Sequence, residues 1–291
     1  MASLKEIKGR IASVKSTQKI TSAMKMVSSA KLHKAQSRIE SFLPYESRLT
    51  AMLDAFLASE AEFESPLSEV REVKHLAVVV LSSNSTLCGA FNANIVRLLN
   101  ETLKQYNSQL CESVRIYPIG KKIEEAVKKL TVPVQIMGSY IPLMDKPDFE
   151  GAKAIADQLI VDFQKHNIDR VELLYNHFKS AGIQIPVSER FLPVDLAVKT
   201  SAPPVQTDYI IEPDKKELAD SLIPKSLRSK IYAVLLDSAA AEQAARTVAM
   251  QIATDNANDI LDELTIQYNK QRQQSITGEL LDIVGGSEAL K

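Results

Sequence analysis

The segment Ser82 to Asn92 occupies the position at which a phosphate-binding loop would follow the first strand of a parallel sheet. It reads SSNSTLCGAFN, and Gly89 is its only glycine. A loop that wraps a phosphate group with backbone N–H groups needs several glycines, as in GxGxxG or GxxxxGK[ST], and neither pattern is present. We therefore expect no direct nucleotide binding at this loop.

Cys88 and the four histidines are the other residues whose types could support chemistry. Cys88 precedes a predicted helix, where a thiol can act as a nucleophile, but a small buried cysteine is the interpretation we favour. His33, His75, His166 and His177 are dispersed and show no metal-ligand spacing such as HExxH. The sequence therefore predicts no catalytic residue, no metal site and no cofactor.

Basic residues at the start of the chain form its strongest charge pattern. Residues 1 to 38 contain nine Lys or Arg against Glu6 alone, a charge of +8, so the rest of the chain sums to −9. Such a surface suits the phosphates of a nucleic acid or an acidic protein partner. Phe42 and Tyr45 are the first aromatic residues, so the basic segment offers no side chain to stack on bases. A nucleic-acid-binding coiled-coil protein remains an alternative, as does a plain solvated face.

The composition is that of a globular chain. The 291 residues are 45% hydrophobic and 24% charged, which suits one large domain or two. The longest apolar runs, Leu76 to Leu81 and Ile231 to Leu236, fall far short of the roughly 20 residues of a membrane span. Cys88 and Cys111 are the only cysteines. They suggest no disulfide framework, and a reducing compartment is expected.

Two long stretches without Gly or Pro lie towards the two ends of the chain. The first runs from Arg10 to Leu43 and the second from Lys225 to Thr277, between Pro224 and Gly278. The apolar positions of the first recur at helical spacing: Ile7, Ile11, Val14, Ile20, Met24 and Val27. The first helix is expected to extend over about 55 residues with a kink at Pro44. Helices of this length need a partner along much of their course, so we predict a long antiparallel coiled coil of the chain ends.

Small residues mark the expected contact between the two helices. Alanines recur at every fourth position of the second stretch: Ala241, Ala245, Ala249, Ala253 and Ala257. The first helix has small residues of its own between Ser22 and Ala30. Small side chains let two helix backbones approach closely, so these surfaces are expected to pack together. The helix propensity of alanine explains the stripe equally well.

Between the long helices, short β-rich runs alternate with amphipathic stretches. The predicted strands are His75–Leu81, Val114–Ile119, Val132–Met137 and Val171–Tyr175, and the predicted helices are Ala90–Tyr106, Lys121–Leu130 and Phe149–His166. The alternation predicts an α/β fold with an inserted Rossmann-like, mostly parallel sheet. Irregular sequence from Pro186 to Pro213 is expected to lead back to the second helix. The expected domains are 1–58 (N-terminal helix), 72–200 (α/β domain) and 214–288 (C-terminal helix).

Three segments carry motifs of a known family. The first is IKGRIASVKSTQKITSAMKMVSSAKLHKAQ at 7–36. The second is EQAARTVAMQIATDNANDILDEL at 242–264, followed by YNKQRQQSITGELLDIVGG at 268–286, and the third is DYIIEPD at 208–214. In order and spacing they resemble the gamma subunit of the F-type, rotary ATP synthase.

The resemblance implies a central rotor shaft. Such a shaft couples ion-driven rotation of a membrane c-ring to ATP synthesis or hydrolysis in a ring of three alpha and three beta subunits. The chain would be a non-catalytic subunit without cofactor, since catalysis belongs to the beta subunits. The implied partners are the alpha, beta and epsilon subunits and the c-ring, with no nucleic acid. The implied location is peripheral, on the cytoplasmic face of the bacterial inner membrane.

The resemblance also assigns residues to two interfaces. Expected contacts with the alpha/beta ring are Lys19, Met24, Lys25, Arg246, Gln273, Thr277 and Glu279. Expected contacts with the c-ring and epsilon are Tyr209 and Glu212. The C-terminal helix ends in an apolar tip, which would either rotate inside an apolar collar formed by the ring or take part in helix packing. The tip consists of Leu280, Leu281, Ile283 and Val284.

One motif departs from the family pattern. After the first strand the family has an Asp, a basic residue and Gly before Leu-Cys-Gly, whereas this chain has Asn84, Ser85 and Thr86. The contacts of that loop are therefore left open. No chloroplast-type cysteine insertion and no mitochondrial leader is expected, which indicates a bacterial enzyme. An α/β metabolite-binding domain remains the other alternative, although it would explain only the central segment.

Overall fold

The computed structural model describes residues 3–59, 65–107, 111–130, 132–194 and 215–289. In chain order the elements are α1 (Leu4–Ser59), β1 (His75–Leu81), α2 (Phe91–Asn107), β2 (Ser113–Ile119), α3 (Lys121–Val127), β3 (Gln135–Ile136), α4 (Ile141–Asp145), α5 (Phe149–Gln164), β4 (Arg170–Ser180), β5 (Ile183–Leu192) and α6 (Lys215–Ala289). The predicted α/β class with long terminal helices is confirmed.

The five strands form one mostly parallel sheet in the order β3-β2-β1-β4-β5. Strand β1 pairs in parallel with β2 and β4, and β2 pairs in parallel with β3. Strand β5 runs antiparallel to β4 at the edge. The chain thus leaves β1 towards one edge and returns to its other side, which is the arrangement of doubly wound sheets.

Both faces of the sheet are covered, as the continuous apolar run of β1 requires. Ala77, Val79 and Leu81 lie in a core formed with α5 and with parts of α1 and α6. On the opposite face, Leu76 and Val80 pack against α2 and α3. The alternation along β1 therefore places one long helix pair on one face and two shorter helices on the other.

Strand β5 is a difference from the sequence-based expectation. Pro186 was expected to begin irregular sequence, but it lies within β5, opposite Asn176 of β4. Proline lacks the N–H that a second neighbouring strand would need, and an edge strand tolerates this loss. The five-residue helix α4 was not predicted either, and β3 is shorter than the predicted strand at 132–137.

Helix α6 extends beyond both ends of the stretch without Gly or Pro and nearly coincides with the expected helix at 214–288. Pro224 and Gly278, which bound that stretch, both lie inside the helix. The turn before the proline carries Ala219, Leu222 and Ile223, which are buried in the core against the sheet. Burying such side chains stabilises the helix by about 1.5–3 kcal/mol for a Leu or Ile, which together offsets the cost of about 3 kcal/mol for a helical proline.

The chain divides into two compact units. The first consists of Met1–Ser28 and Thr247–Lys291, and the second of Ser29–Arg246, which contains the sheet. In the first unit the two helices run antiparallel. Gln18 Nε2 donates a hydrogen bond to Asn258 Oδ1 at 2.8 Å, and the hydroxyls of Thr21 and Thr254 lie 2.8 Å apart.

The apolar stripe predicted on α1 is only partly buried within the first unit. Ile7 is buried, but Ile20 and Val27 are 60% and 57% exposed. On α6 the buried apolar side chains of this unit include Met250, Ala257 and Leu264. The helix pair therefore has a thin apolar seam, which the polar contacts at Thr21 and Gln18 supplement.

Gly120, between β2 and α3, provides a test of the fold. Its φ is 108°, and a Cβ at this position would lie 2.1 Å from the carbonyl oxygen of Ser82. Gly120→Ala is expected to lower the free energy of unfolding by about 3 kcal/mol or more, since backbone strain of about 1–3 kcal/mol adds to a backbone clash. Urea unfolding followed by circular dichroism measures the change. Gly182→Ala is the control, because a Cβ there meets nothing within 4 Å. Equal destabilisation by both substitutions would contradict the interpretation.

Candidate functional site

The N-terminal part of α1 presents a basic surface. Seven of its cationic side chains are exposed: Lys5, Lys8, Arg10, Lys15, Lys19, Lys31 and Lys34. Lys25 and Arg38 are half-buried. The absence of Gly and Pro between Arg10 and Leu43 keeps these residues on one continuous helix. The positive charge is therefore displayed along a regular scaffold.

Large apolar side chains are exposed on the two helices of the first unit. On α1 they are Ile20, Met26 and Val27, and on α6 they include Ile252, Ile260, Ile266 and Ile276. Ile266 is 70% exposed. Single exposed apolar residues are ordinary, but their accumulation along two helices is typical of surfaces that other proteins cover.

Six of the predicted contact residues lie in the first unit. Lys19 is exposed on α1, and Met24 and Lys25 are half-buried there. On α6, Gln273, Thr277 and Glu279 are exposed, and the Ser275 hydroxyl donates a hydrogen bond to Glu279 Oε1 at 3.5 Å. Tyr209 and Glu212 lie outside the described residues.

The apolar tip of α6 is also exposed. Leu280, Leu281, Ile283 and Val284 have exposed fractions between 57% and 68%. Helix packing within the described part of the chain therefore does not bury them.

Arg246, the remaining predicted contact residue, belongs to the second unit and is 7% exposed. Its Nη2 donates a hydrogen bond to Glu242 Oε1 at 2.5 Å, one helical turn earlier on α6. Its Nη1 donates to the carbonyl oxygen of Thr86 in the loop after β1. Burial raises the pKa of the Glu242 carboxyl above its ordinary value, and the Arg246 guanidinium opposes that rise.

The polar side chains of the loop between β1 and α2 form hydrogen bonds with the backbone of α3 and α4. Ser82 Oγ accepts a hydrogen bond from the backbone N–H of Ile123 at 2.8 Å, near the start of α3. Asn84 Nδ2 donates to the carbonyl of Ile141 at 3.0 Å, and Asn84 Oδ1 accepts from the N–H of Lys121 at 2.9 Å. The loop left open by the resemblance thus connects β1 to α3 and α4.

Cys88 follows in the same loop and is buried, as predicted, with 2% exposure. It forms a small apolar cluster with Phe91, Met144, Ala239, Ala241 and Ala245. Ala240 and Ala244 instead cluster with Leu32 of α1. The alanines of α6 therefore supply two smooth faces, one for α1 and one for the α/β domain, whereas the sequence predicted only a face for α1.

Sequence reasoning missed Glu242 and the Thr86 carbonyl as partners of Arg246. The spacing of four residues between Glu242 and Arg246 is the standard spacing of a helical ion pair and could have indicated the first contact. A backbone carbonyl from a distant loop leaves no signal in the sequence.

The described residues contain no group of three or more His, Cys, Asp or Glu that could hold a metal ion. In the same ranges, no helix is both long enough and apolar enough to cross a membrane.

A pair of long helices with an inserted doubly wound α/β domain and an exposed basic and apolar surface is typical of a helical subunit of a larger assembly. The family model described as ATP synthase matches residues 3–290. The ATP synthase gamma chains of Azobacteroides pseudotrichonymphae and Bacteroides fragilis are 54% and 56% identical to this chain, which they match over at least 99% of either length. The chain belongs to the ATP synthase gamma chain family.

Solved structures agree with this assignment. A chain of the central stalk/c-ring structure of the Tetrahymena thermophila mitochondrial ATP synthase is 26% identical, with a TM-score of 0.58. The similarity covers 80% of this chain and 99% of that chain. A chain of the Euglena gracilis mitochondrial ATP synthase shares the fold, with a TM-score of 0.66 over 99% of this chain and 94% of the other, at 20% identity.

The buried pair of Arg246 and Glu242 leads to a stability prediction. Arg246→Ala is expected to lower the free energy of unfolding by about 3–5 kcal/mol, because it leaves a carboxylate buried without its cation. Lys128→Ala is the matched control, since Lys128 forms an ion pair of the same spacing with Glu124 but is 61% exposed. The control should cost less than about 1 kcal/mol. Thermal and urea unfolding measure both, and similar losses would show that burial of the pair is unimportant.

Proposed function

We propose that this chain is the central rotor shaft of an F-type ATP synthase. It couples rotation of a membrane c-ring to ATP synthesis or hydrolysis in a ring of three alpha and three beta subunits. The observation that carries the proposal is membership of the gamma chain family over nearly the whole chain. The exposed basic and apolar surface of the first unit supports it, because a shaft needs a surface that other subunits enclose.

The mechanism follows from asymmetry. A single helical rod inside a ring of three similar sites cannot present the same face to all three at once. Each beta subunit then has its open or closed state favoured by a different face of the rod, so rotation shifts the populations in sequence. The gamma chain itself forms or breaks no bond, and the catalytic groups belong to the beta subunits.

The basic surface of α1 would act on acidic groups of the ring. Exposed ion pairs contribute only about 0–1 kcal/mol each, so such contacts break easily as the shaft turns. The residues we assign to this interface are Lys19, Met24, Lys25, Gln273, Thr277 and Glu279. Arg246, which was also expected here, is 7% exposed, and we assign it to a contact inside the chain instead. The exposed tip of α6, from Leu280 to Val284, adds contacts without directional bonds, which keeps friction low.

The domains, the contact with the c-ring and the location of the chain follow from the same proposal. Residues 1–58 and 214–288 form the shaft. Residues 72–200 form the α/β domain, which is the globular foot of the rotor on the side of the c-ring. Tyr209 and Glu212 belong to the contact with the c-ring and the epsilon subunit. The complex lies on the cytoplasmic face of a bacterial inner membrane, with this chain as a peripheral subunit. Nucleic-acid binding and metabolite binding each explain only one segment, and neither is supported by the relatives.

Assembly with partner subunits tests the function. The chain is purified with the alpha and beta subunits of the same enzyme, and native mass spectrometry and ATPase assays are performed. We expect one copy to join three alpha and three beta subunits, with ATPase activity that depends on the chain. The proposal would be overturned if the chain remained a stable monomer that binds neither subunit but binds RNA or a metabolite.

Charge reversal on α1 tests the coupling surface. Lys19→Glu combined with Lys25→Glu turns attraction towards acidic ring residues into repulsion. We expect ATP-driven ion pumping to fall roughly fivefold or more while hydrolysis keeps about half of its rate, since each contact is worth up to about 1 kcal/mol. Pumping and hydrolysis are measured on the same membrane vesicles.

The control for this variant reverses two charges in the α/β domain. Lys128→Glu combined with Lys153→Glu alters two exposed lysines that pair with Glu124 and Glu150 of the chain itself. It should leave the ratio of pumping to hydrolysis unchanged. If the variant of α1 lost pumping and hydrolysis in equal proportion, these two lysines would have no role in coupling.

A further inference from the structure

Several polar contacts attach helix α6 to the α/β domain of the second unit. Arg228 Nε donates a hydrogen bond to Asp157 Oδ1 on α5 at 2.6 Å. Lys230 Nζ bonds Glu189 Oε1 on β5 at 2.7 Å, with both side chains about one-third exposed. Asp237 Oδ1 accepts a hydrogen bond from the N–H of Phe178 on β4 at 3.0 Å. Arg246 bonds the carbonyl of Thr86, and it is the last residue of the second unit. Among these contacts, the one made by Arg246 involves a residue of a buried ion pair.

The apolar contact beside Arg246 is poorly suited to fixing the helix by itself. Ala239, Ala241 and Ala245 present a smooth surface to Cys88 and Phe91. Apolar attraction has no preferred direction, and alanine has no side chain that could lock into a groove. Rotation of α6 about its own axis would therefore meet little resistance from this cluster.

The guanidinium of Arg246 adds a directional contact beside this apolar cluster. Its two terminal nitrogens hold two different acceptors, Glu242 on the same helix and Thr86 on the loop. The side chains of Glu242 and Arg246 are each 8% exposed, so water does not compete for these bonds. A planar guanidinium held at both nitrogens allows only a narrow range of helix rotation.

The acceptor on the loop is itself fixed. Ser83 Oγ donates to the carbonyl of Ser85 at 2.6 Å, and the N–H of Ser83 donates to Asn92 Oδ1 at 3.1 Å. Asn92 Nδ2 donates to Cys88 Sγ at 3.2 Å. These bonds hold the segment around Thr86 between the end of β1 and the start of α2. A force on Arg246 is therefore transmitted to the central strand of the sheet.

We propose that Arg246, Glu242 and the carbonyl of Thr86 form a torsional clamp, which restrains the rotation of α6 relative to the α/β domain at the end of the second unit. The clamp transmits torque between the foot and the shaft, and this role rests on the proposed function. Arg246 is then a positioning residue that acts inside the chain, and Glu242 orients its guanidinium. Its burial separates it from the exposed residues assigned to the alpha/beta ring.

Conservative variants in the assembled complex test the clamp. Arg246→Lys keeps the charge but replaces two donors in a plane by one ammonium, and Glu242→Gln keeps the shape but removes the charge. The matched controls are Lys128→Arg and Glu124→Gln, at an exposed ion pair of the same spacing on α3. All variants carry Cys111→Ser and Lys104→Cys, so that a gold nanorod can be attached to α2.

The first readout is amide hydrogen exchange of residues 83–92 in the full chain without partners. We expect exchange to become about tenfold faster in both clamp variants, because local opening of the loop becomes easier. The controls should exchange as the parent chain does. Unchanged exchange in the clamp variants would overturn the proposal, because the contact would then not hold the loop.

The second readout is the angular fluctuation of the nanorod on complexes of this chain with alpha and beta subunits, immobilised through the ring without ATP. We expect the angular variance to rise roughly twofold in the clamp variants, since a torsional restraint is lost. Hydrolysis at low load should keep its kcat and KM. Altered kcat or KM with unchanged variance would place Arg246 at the ring and overturn the clamp.

The outcomes distinguish the clamp from the function on which it rests. If the parent chain fails to assemble with alpha and beta subunits, the proposed function and the torque role fail together. Faster exchange of residues 83–92 with unchanged angular variance would leave the rotor function standing. It would overturn the clamp, since the contact would then have only a structural role.

Discussion

The burial of both long helices against one face of the sheet is the constraint on which the structure depends. Leu49 and Leu53 of α1 and the apolar residues of α6 between Leu222 and Leu235 share a core with Val79 of β1. Each fully buried Leu, Ile or Val stabilises this arrangement by about 1.5–3 kcal/mol relative to exposure. The same burial explains why α6 continues through Pro224. A helix held by its apolar face does not need an uninterrupted hydrogen-bond ladder.

The first unit is held together in a different way. Its helices share few buried apolar residues, and polar contacts such as Thr21 with Thr254 cross between them. Much of its apolar surface, including Ile20 and Ile266, faces outward. A thin seam and an exposed surface suit a rod that other subunits enclose, because the enclosing subunits bury what the rod leaves open. The thin seam thus suits the shaft of the proposed rotor, whereas the wide core joins the two shaft helices to the α/β domain.

The loop after β1 contacts three helices, α3, α4 and α6. In many doubly wound sheets this loop binds phosphate, and the sequence here lacks the glycines for that task. Its polar side chains instead hold α3 and α4, and the carbonyl of Thr86 receives Arg246 of α6. A position at which related topologies bind ligands is used in this chain to attach a helix. The buried pair with Glu242 costs desolvation, so it contributes direction more than stability.

Elements whose signals are local could be predicted from the amino-acid sequence alone. The valine-rich run of β1, the absence of Gly and Pro from Arg10 to Leu43, and the gamma chain motifs predicted the strands, the long helices and the family. Strand pairing and the burial of polar side chains depend on residues far away in the sequence, so they are set by the tertiary structure. Pro186 joins an edge strand only because β4 lies beside it, and Arg246 is buried only because the Thr86 loop meets α6. Periodicity reports which face of an element is apolar, but the partner of a buried polar group is chosen by the fold, since a carbonyl carries no sequence signal.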